Sequence, residues 1–371
     1  MNRHARRIMV VIVAIAASLF VARPAHGADA PVSSAPIWSA PIWSAPIDQA
    51  LELAADRAGA VVVTSDSTVH ALDRHGHEQW KAHVGSNTDA PPALGDGVVL
   101  VGGVDTVTAL ARADGSRRWQ QPMRGDAPSV AIAGDVALVG DIGGTLAGFD
   151  ARTGAPRWSV KFPGALWSGA RVDRASGAVV ATWHESGSPA VRVFDLSTGG
   201  LRWEAPTAVS TAAPVVERGL VVLAIGDGWR HARVEARDLA TGEVRWQTPM
   251  PASFEEAIEP AADARAVAVT DHFGVVSLLD RTTGRLVWQH DLAHALLATR
   301  VALTRHRVAL TTFSGDVFLL DRHDGHTVAR LGWRRLGGYP VSTRRPPWPG
   351  RARLLVALRI REWAVQLRAL P

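Results

Sequence analysis

The chain has 371 residues, 47 % of them hydrophobic, with 40 Lys and Arg against 35 Asp and Glu for a formal charge of +5. That is enough apolar material for a large core, either as two ordinary domains or as one large all-β domain. Lysine occurs only at Lys81 and Lys161, so the arginine bias reflects base composition and the pI of 10.6 is discounted; the absence of cysteine excludes disulfide stapling and leaves no residue for a lipoprotein's acyl anchor.

Residues 1–27 have the form of a secretory signal. Arg3, Arg6 and Arg7 precede an apolar run from Ile8 to Ala22, and Ala25 and Gly27 stand at a plausible cleavage point. The run is short of the roughly 20 residues that span a bilayer. Arg6-Arg7 leaves twin-arginine export open beside ordinary Sec export. Removing this segment takes four arginines and no acids, leaving 36 basic against 35 acidic residues. A soluble exported protein, periplasmic or extracellular, is expected, and nucleic acid is not an expected partner.

After a short linker, 28–32, "SAPIWSAPIWSAPID" repeats nearly the same five residues three times. Further on, six segments end alike: "ALDRHGHEQW" at Trp80, "ALARADGSRRW" at Trp119, "GFDARTGAPRW" at Trp158, "VFDLSTGGLRW" at Trp203, "ARDLATGEVRW" at Trp246 and "LLDRTTGRLVW" at Trp288. The tryptophans are 39 to 45 residues apart, and a glycine stands four residues before each. A seventh copy, "LLDRHDGHTVA", has Ala329 in the tryptophan's place.

Within each copy, short β-rich runs such as "AVVVTSD" and "GVVLVGG" precede a second apolar run, an Asp-x-x-Thr-Gly turn and the tryptophan strand. Four strands in about 40 residues is the sequence pattern of a β-propeller rather than of a solenoid. After the seventh copy, "YPVSTRR", "RLLVAL" and "REWAVQLRAL" offer three more strands. The expected fold is therefore all-β: an eight-bladed propeller of four-stranded antiparallel blades over 33–371, closed by an N-terminal strand that brings Trp38 or Trp43 into the last blade. The alternative for that stretch is a Pro/Ser/Ala linker.

The Asp-x-x-Thr-Gly-x-x-x-Trp pattern, clearest at Asp150 to Trp158, Asp238 to Trp246 and Asp280 to Trp288, resembles the tryptophan-docking repeat of the PQQ-like propeller family. The resemblance covers essentially the whole mature chain. It implies that Trp80, Trp119, Trp158, Trp203, Trp246 and Trp288 dock structurally between neighbouring blades. The family includes quinoprotein alcohol dehydrogenases, which use PQQ with Ca²⁺, and a propeller lipoprotein of outer-membrane barrel assembly. The cofactor-using members carry vicinal cysteines and long site-walling insertions that this chain lacks.

No catalytic motif is present: there is no Gly-x-Ser-x-Gly, no His-Glu-x-x-His and no phosphate loop. The expectation is a non-catalytic scaffold without cofactor or metal that binds protein or exported polypeptide, with a PQQ oxidoreductase as the alternative. Loops on one face place Trp183 and His184, then Trp229 and His231, then His272 and Phe273, on successive blades, an aromatic and imidazole set suited to peptide or glycan binding. From Arg330 onward ten arginines face only Glu362, which would suit an acidic envelope polymer or lipid head groups.

Overall fold

The computed structural model describes residues 43–47, 50–56, 58–86, 91–126, 129–166, 170–183, 189–208, 210–226, 232–251, 260–271, 274–292, 298–312, 317–331, 339–344, 354–361 and 364–370. For 43–51, 124, 126, 210–211, 298–300, 311–312, 317 and from 331 onward only the backbone is described.

The first repeat shows how each unit is built. Gly59–Thr64 is buried at every position and is flanked by Ala50–Asp56 and by Thr68–Asp73, outside which lies Glu78–His83. A strand covered on both faces has no reason to alternate polar and apolar residues, hence the run Ala60-Val-Val-Val63. The outer strand has one buried face only, and Trp80 is its buried residue. Seven antiparallel sheets of this kind follow one another along the chain, over residues 50–83, 93–126, 129–161, 171–206, 210–249, 261–291 and 298–331. These are the blades of a propeller, numbered here from one to seven.

Blade five departs from four strands. Its innermost strand is split into Ser210–Thr211 and Val215–Glu217, both pairing with Leu220–Gly226. Pro214 lies in the break and has no N–H to offer the ladder. A further sheet holds Tyr339–Arg344, Leu354–Arg361 and Ala364–Leu370, with Trp43–Ile47 hydrogen-bonded to the last of these.

Each Asp-x-x-Thr-Gly turn ties itself together before it meets anything else. The Asp150 carboxylate accepts the N–H groups of Arg152 (3.1 Å) and Thr153 (2.9 Å), and the Gly154 N–H donates to the Asp150 carbonyl (2.8 Å). Asp195, Asp238 and Asp280 repeat the arrangement. The arginine before the tryptophan then bonds to the turn aspartate: Arg157 to Asp150, Arg202 to Asp195 and Arg245 to Asp238.

These contacts hold the carboxyls below their ordinary range. At Asp150 and Asp195 the bond from the arginine is the largest cause; Asp238 is lowered to about 2 by Arg245 first, then by the Thr241 N–H. A depressed folded-state pKa stabilises the fold above the unfolded pKa near 4, and that stability is lost as pH falls through the folded value. The melting temperature is expected to change little from pH 8 to 5 and to fall between roughly pH 4 and 2. A melting curve at pH 3 matching that at pH 7 would show that these turns contribute nothing.

Candidate functional site

The seams between blades follow one rule. Each docking indole donates its N–H to the carbonyl of the residue after the turn aspartate, or its equivalent, of the next blade: Trp80 to Arg112, Trp119 to Ala151, Trp158 to Leu196, Trp203 to Leu239, Trp246 to Arg281 and Trp288 to Arg322, at 2.8–3.0 Å. Each ring lies against the turn glycine of that blade, from Gly115 for Trp80 to Gly325 for Trp288. Burying the ring while satisfying its single donor is what a tryptophan needs in a core.

Arginines reinforce three of these seams from the accepting residue itself. Arg112 reaches back to Asp56, Arg281 to the carbonyls of Glu217 and Arg218, and Arg322 to both oxygens of Asp263.

Trp183 corrects the expected binding face. It is fully buried, with 0 % exposure; its N–H donates to the Gly144 carbonyl at 3.0 Å, and it packs against Phe162 and Phe194 with ring centroids 5.2 and 5.7 Å away. Its strand Ala178–Trp183 is a second strand of a blade, covered on both faces to its last residue, so the indole belongs to the core. His184, Trp229, His231, His272 and Phe273 lie outside the described residues.

The same core pocket contains a charge that sequence reasoning passed over. Arg192 is 7 % exposed; its guanidinium carbon stands 4.1 Å from the Phe162 ring centroid and 5.3 Å from that of Trp183, and its Nε donates to Glu204 at 3.0 Å. Among the described residues its buried Nη1 has no hydrogen-bond partner. A signal was available, since Arg192 interrupts the apolar run 190–194 of strand Ala190–Asp195.

Arg192→Met should stay within about 1 kcal/mol of wild type, because it keeps the volume and removes an incompletely paired buried charge. Arg192→Ala should cost about 2–3 kcal/mol, through the emptied space and the lost cation–π contact. Denaturant unfolding of both variants checks this, and equal losses would assign the cost to the charge rather than to the packing.

A cleft of about 400 Å³ opens between the outer strand of blade two and blade three, lined by Pro122, Met123, Phe149 and Pro156 and by the polar Asp141 and Arg157. Both charged groups are already engaged. Asp141 accepts the Thr145 N–H at 2.7 Å, and Arg157 is paired with Asp135 and Asp150. The cleft can take an apolar side chain, and both of its charged groups are held by the protein itself.

The family resemblance implies PQQ and Ca²⁺ for some members, and the described residues do not offer a carboxylate cluster that fits the Ca²⁺. Among them no three His, Cys, Asp or Glu side chains converge on a common point, and the turn carboxylates are occupied by backbone N–H groups and arginines.

Comparison with known proteins follows the same lines. The PQQ_2 family model, which bears the description outer membrane protein assembly factor BamB, matches residues 65–227 and 143–338. The chain is 28 % identical over 277 residues to outer membrane protein assembly factor BamB of Burkholderia pseudomallei and 27 % identical over 287 residues to that of Bordetella pertussis. These matches take in 71 % and 75 % of this chain but 60 % and 63 % of those proteins, so the chain spans about three fifths of the length of the curated relatives it matches.

Among solved structures, BamB from Moraxella catarrhalis superposes with a TM-score of 0.73 at 18 % identity, covering 89 % of this chain and 97 % of that one. The quinohemoprotein alcohol dehydrogenase from Comamonas testosteroni gives 0.65 at 13 % identity, covering 90 % and 77 %. At such identities the likeness is one of fold. With the family model matching well over half of its length, the chain belongs to the PQQ-like propeller-repeat family of the outer membrane protein assembly factor BamB.

Proposed function

We propose that this chain is a non-catalytic propeller scaffold of the cell envelope that binds protein partners or exported polypeptide in outer-membrane protein assembly. The observation that carries the proposal is the engagement of the charged groups around the described cleft and turns: Asp141, Asp150, Asp195, Asp238, Arg157, Arg202 and Arg245 are all held in turn and strand bonds. What remains for recognition is shape and apolar surface. Leu201, Val244, Leu286 and Val287 are about half exposed on outer strands, whose free edges can accept an added strand.

The proposal includes export directed by residues 1–27 and a propeller over 33–371 whose eighth blade is completed by the N-terminal strand. Support for that closure comes from the antiparallel register of Trp43–Ile47 on the last strand of the chain. The relatives' printed role favours the envelope over the extracellular medium. An arginine-rich last blade meeting acidic envelope polymer or lipid head groups remains part of the proposal on charge alone.

Removing the chain from its native cell is expected to lower the amount of folded β-barrel protein in the outer membrane, and restoring it should reverse the loss. Purified chain supplied with PQQ and Ca²⁺ should reduce no artificial acceptor in the presence of alcohols or sugars. Unchanged barrel protein together with acceptor reduction would replace the scaffold by the oxidoreductase.

A further inference from the structure

The turn aspartates differ in how their second oxygen is used. In blades three, four and five the arginine before the docking tryptophan donates to it: Arg157 to Asp150 Oδ2 at 2.8 Å, Arg202 to Asp195 Oδ2 at 2.7 Å and Arg245 to Asp238 Oδ2 at 2.7 Å. In blade one Asp73 Oδ2 meets His77 Nδ1 at 3.2 Å, and in blade seven Arg307 donates to Asp321 Oδ2. Blade two has Ala111 in the aspartate's place. Blade six keeps the aspartate and lacks the donor. The Thr282 N–H, the Thr283 N–H and the Thr283 hydroxyl all donate to Asp280 Oδ1, at 3.0, 2.8 and 2.8 Å. Val287 stands where the arginine belongs, and among the described residues none donates to Asp280 Oδ2.

The Asp280 carboxyl is ionised at neutral pH. The Thr283 hydroxyl above all holds it below the ordinary carboxylate range, and Arg285 adds a smaller attraction through space. Its outer oxygen is a pure acceptor, and the bond such an oxygen makes to a guanidinium is among the stronger ones available to a side chain. The loss of the arginine also uncovers apolar surface. Val287 is 52 % exposed and Leu286 51 %, side by side at the start of the outer strand Leu286–Asp291, which is the edge of its sheet. The corresponding Val328 of blade seven is half-buried, and its aspartate already has Arg307. Blade six therefore presents an arginine acceptor without its arginine, beside two exposed apolar side chains on a strand edge.

We propose that this edge binds an extended segment of exported polypeptide carrying an arginine among apolar residues. The segment adds as a strand along Leu286–Asp291, its guanidinium donates to Asp280 Oδ2, and its apolar side chains cover Leu286 and Val287. This rests on the strand addition proposed above and assigns it an edge and a chemistry. The occupant is argued from the molecule's own blades, where the same carboxylate oxygen takes an arginine three times over. Blades three to five fill that place from within, so an incoming arginine gains nothing there.

The probe is a short fluorescent peptide of alternating valine and threonine with one central arginine, and its twin carries citrulline, which keeps the shape and removes the charge. Titrated into the full-length protein, the arginine peptide should bind about three- to fivefold tighter than the citrulline peptide, the upper range for a single exposed ion pair. Asp280→Asn keeps an oxygen to cap the turn and should abolish that preference. Val287→Arg rebuilds the bond of blades three to five and should abolish it too, while melting within roughly 2 °C of wild type. Equal binding of the two peptides to wild type overturns the arginine site and leaves strand addition standing, whereas no binding of either overturns both. A preference that survives in both variants places the arginine elsewhere and overturns the proposal. If the preference appears only after Arg285→Ala, Arg285 already fills the place and the proposal fails. Self-association in sedimentation that Val287→Arg removes would overturn it in favour of a second copy of this chain.

Discussion

Replacing Trp119 with alanine is expected to destabilise the protein by about 3–5 kcal/mol, the range for emptying a buried tryptophan site. The ring is buried against Phe149 at 6.2 Å between centroids and against Gly154, and its N–H satisfies the Ala151 carbonyl at 3.0 Å. Truncation therefore removes packing on two blades and leaves a backbone acceptor without its donor. Trp119→Phe should recover part of the packing and none of the hydrogen bond, falling between the two. Denaturant unfolding measures the series, and a Trp119→Ala loss under about 1 kcal/mol would mean that the seam is not a source of stability.

The reciprocal substitution, Gly154→Ala, should cost about 2–5 kcal/mol by two separable routes. Gly154 has φ of 74°, where a side chain is strained by about 1–2 kcal/mol, and its added Cβ would meet the Trp119 ring at 2.7 Å. Gly134, with φ of 60° and nothing within 4 Å of the added atom, supplies the control. Gly134→Ala should show the backbone cost alone. In a Trp119→Ala background the steric part at Gly154 should vanish, so the double variant should be less damaged than the sum of the singles. Strict additivity would show that the two residues do not press on each other.

The same pair explains why the repeat could be recognised from letters. The close approach of ring and turn demands glycine at a left-handed position, the turn demands an aspartate to cap its N–H groups, and the seam demands one large ring with one donor. These demands recur in most blades at nearly fixed spacing, so they leave a period in the sequence. Blade five shows the limit of such reasoning: the break at Pro214 divides a strand that the repeat alone presents as single.

Trp183 and Arg192 show the opposite case, in which distant segments set the environment. An aromatic residue at the end of a strand beside a histidine has the local sequence of an exposed loop anchor. Its burial comes from Phe194 on the next strand of its own blade and from Phe162 and the Gly144 carbonyl in connections of the preceding blade. Nothing within five residues of Trp183 specifies them. Likewise Arg192 looks like a surface cation until Phe162 and Glu204 enclose it.

The sequence by itself determined the unit, its period, its turn chemistry and the residues that join one blade to the next, because each depends on contacts made within a blade or with the following one. Only the tertiary structure decided which aromatic residues are core and which charges are already engaged. It also placed the N-terminal pentapeptide on the final strand, opposite Ala369 rather than one residue to either side. Burial and pairing of that kind depend on segments far apart in the chain, and a residue's own neighbours carry no record of them.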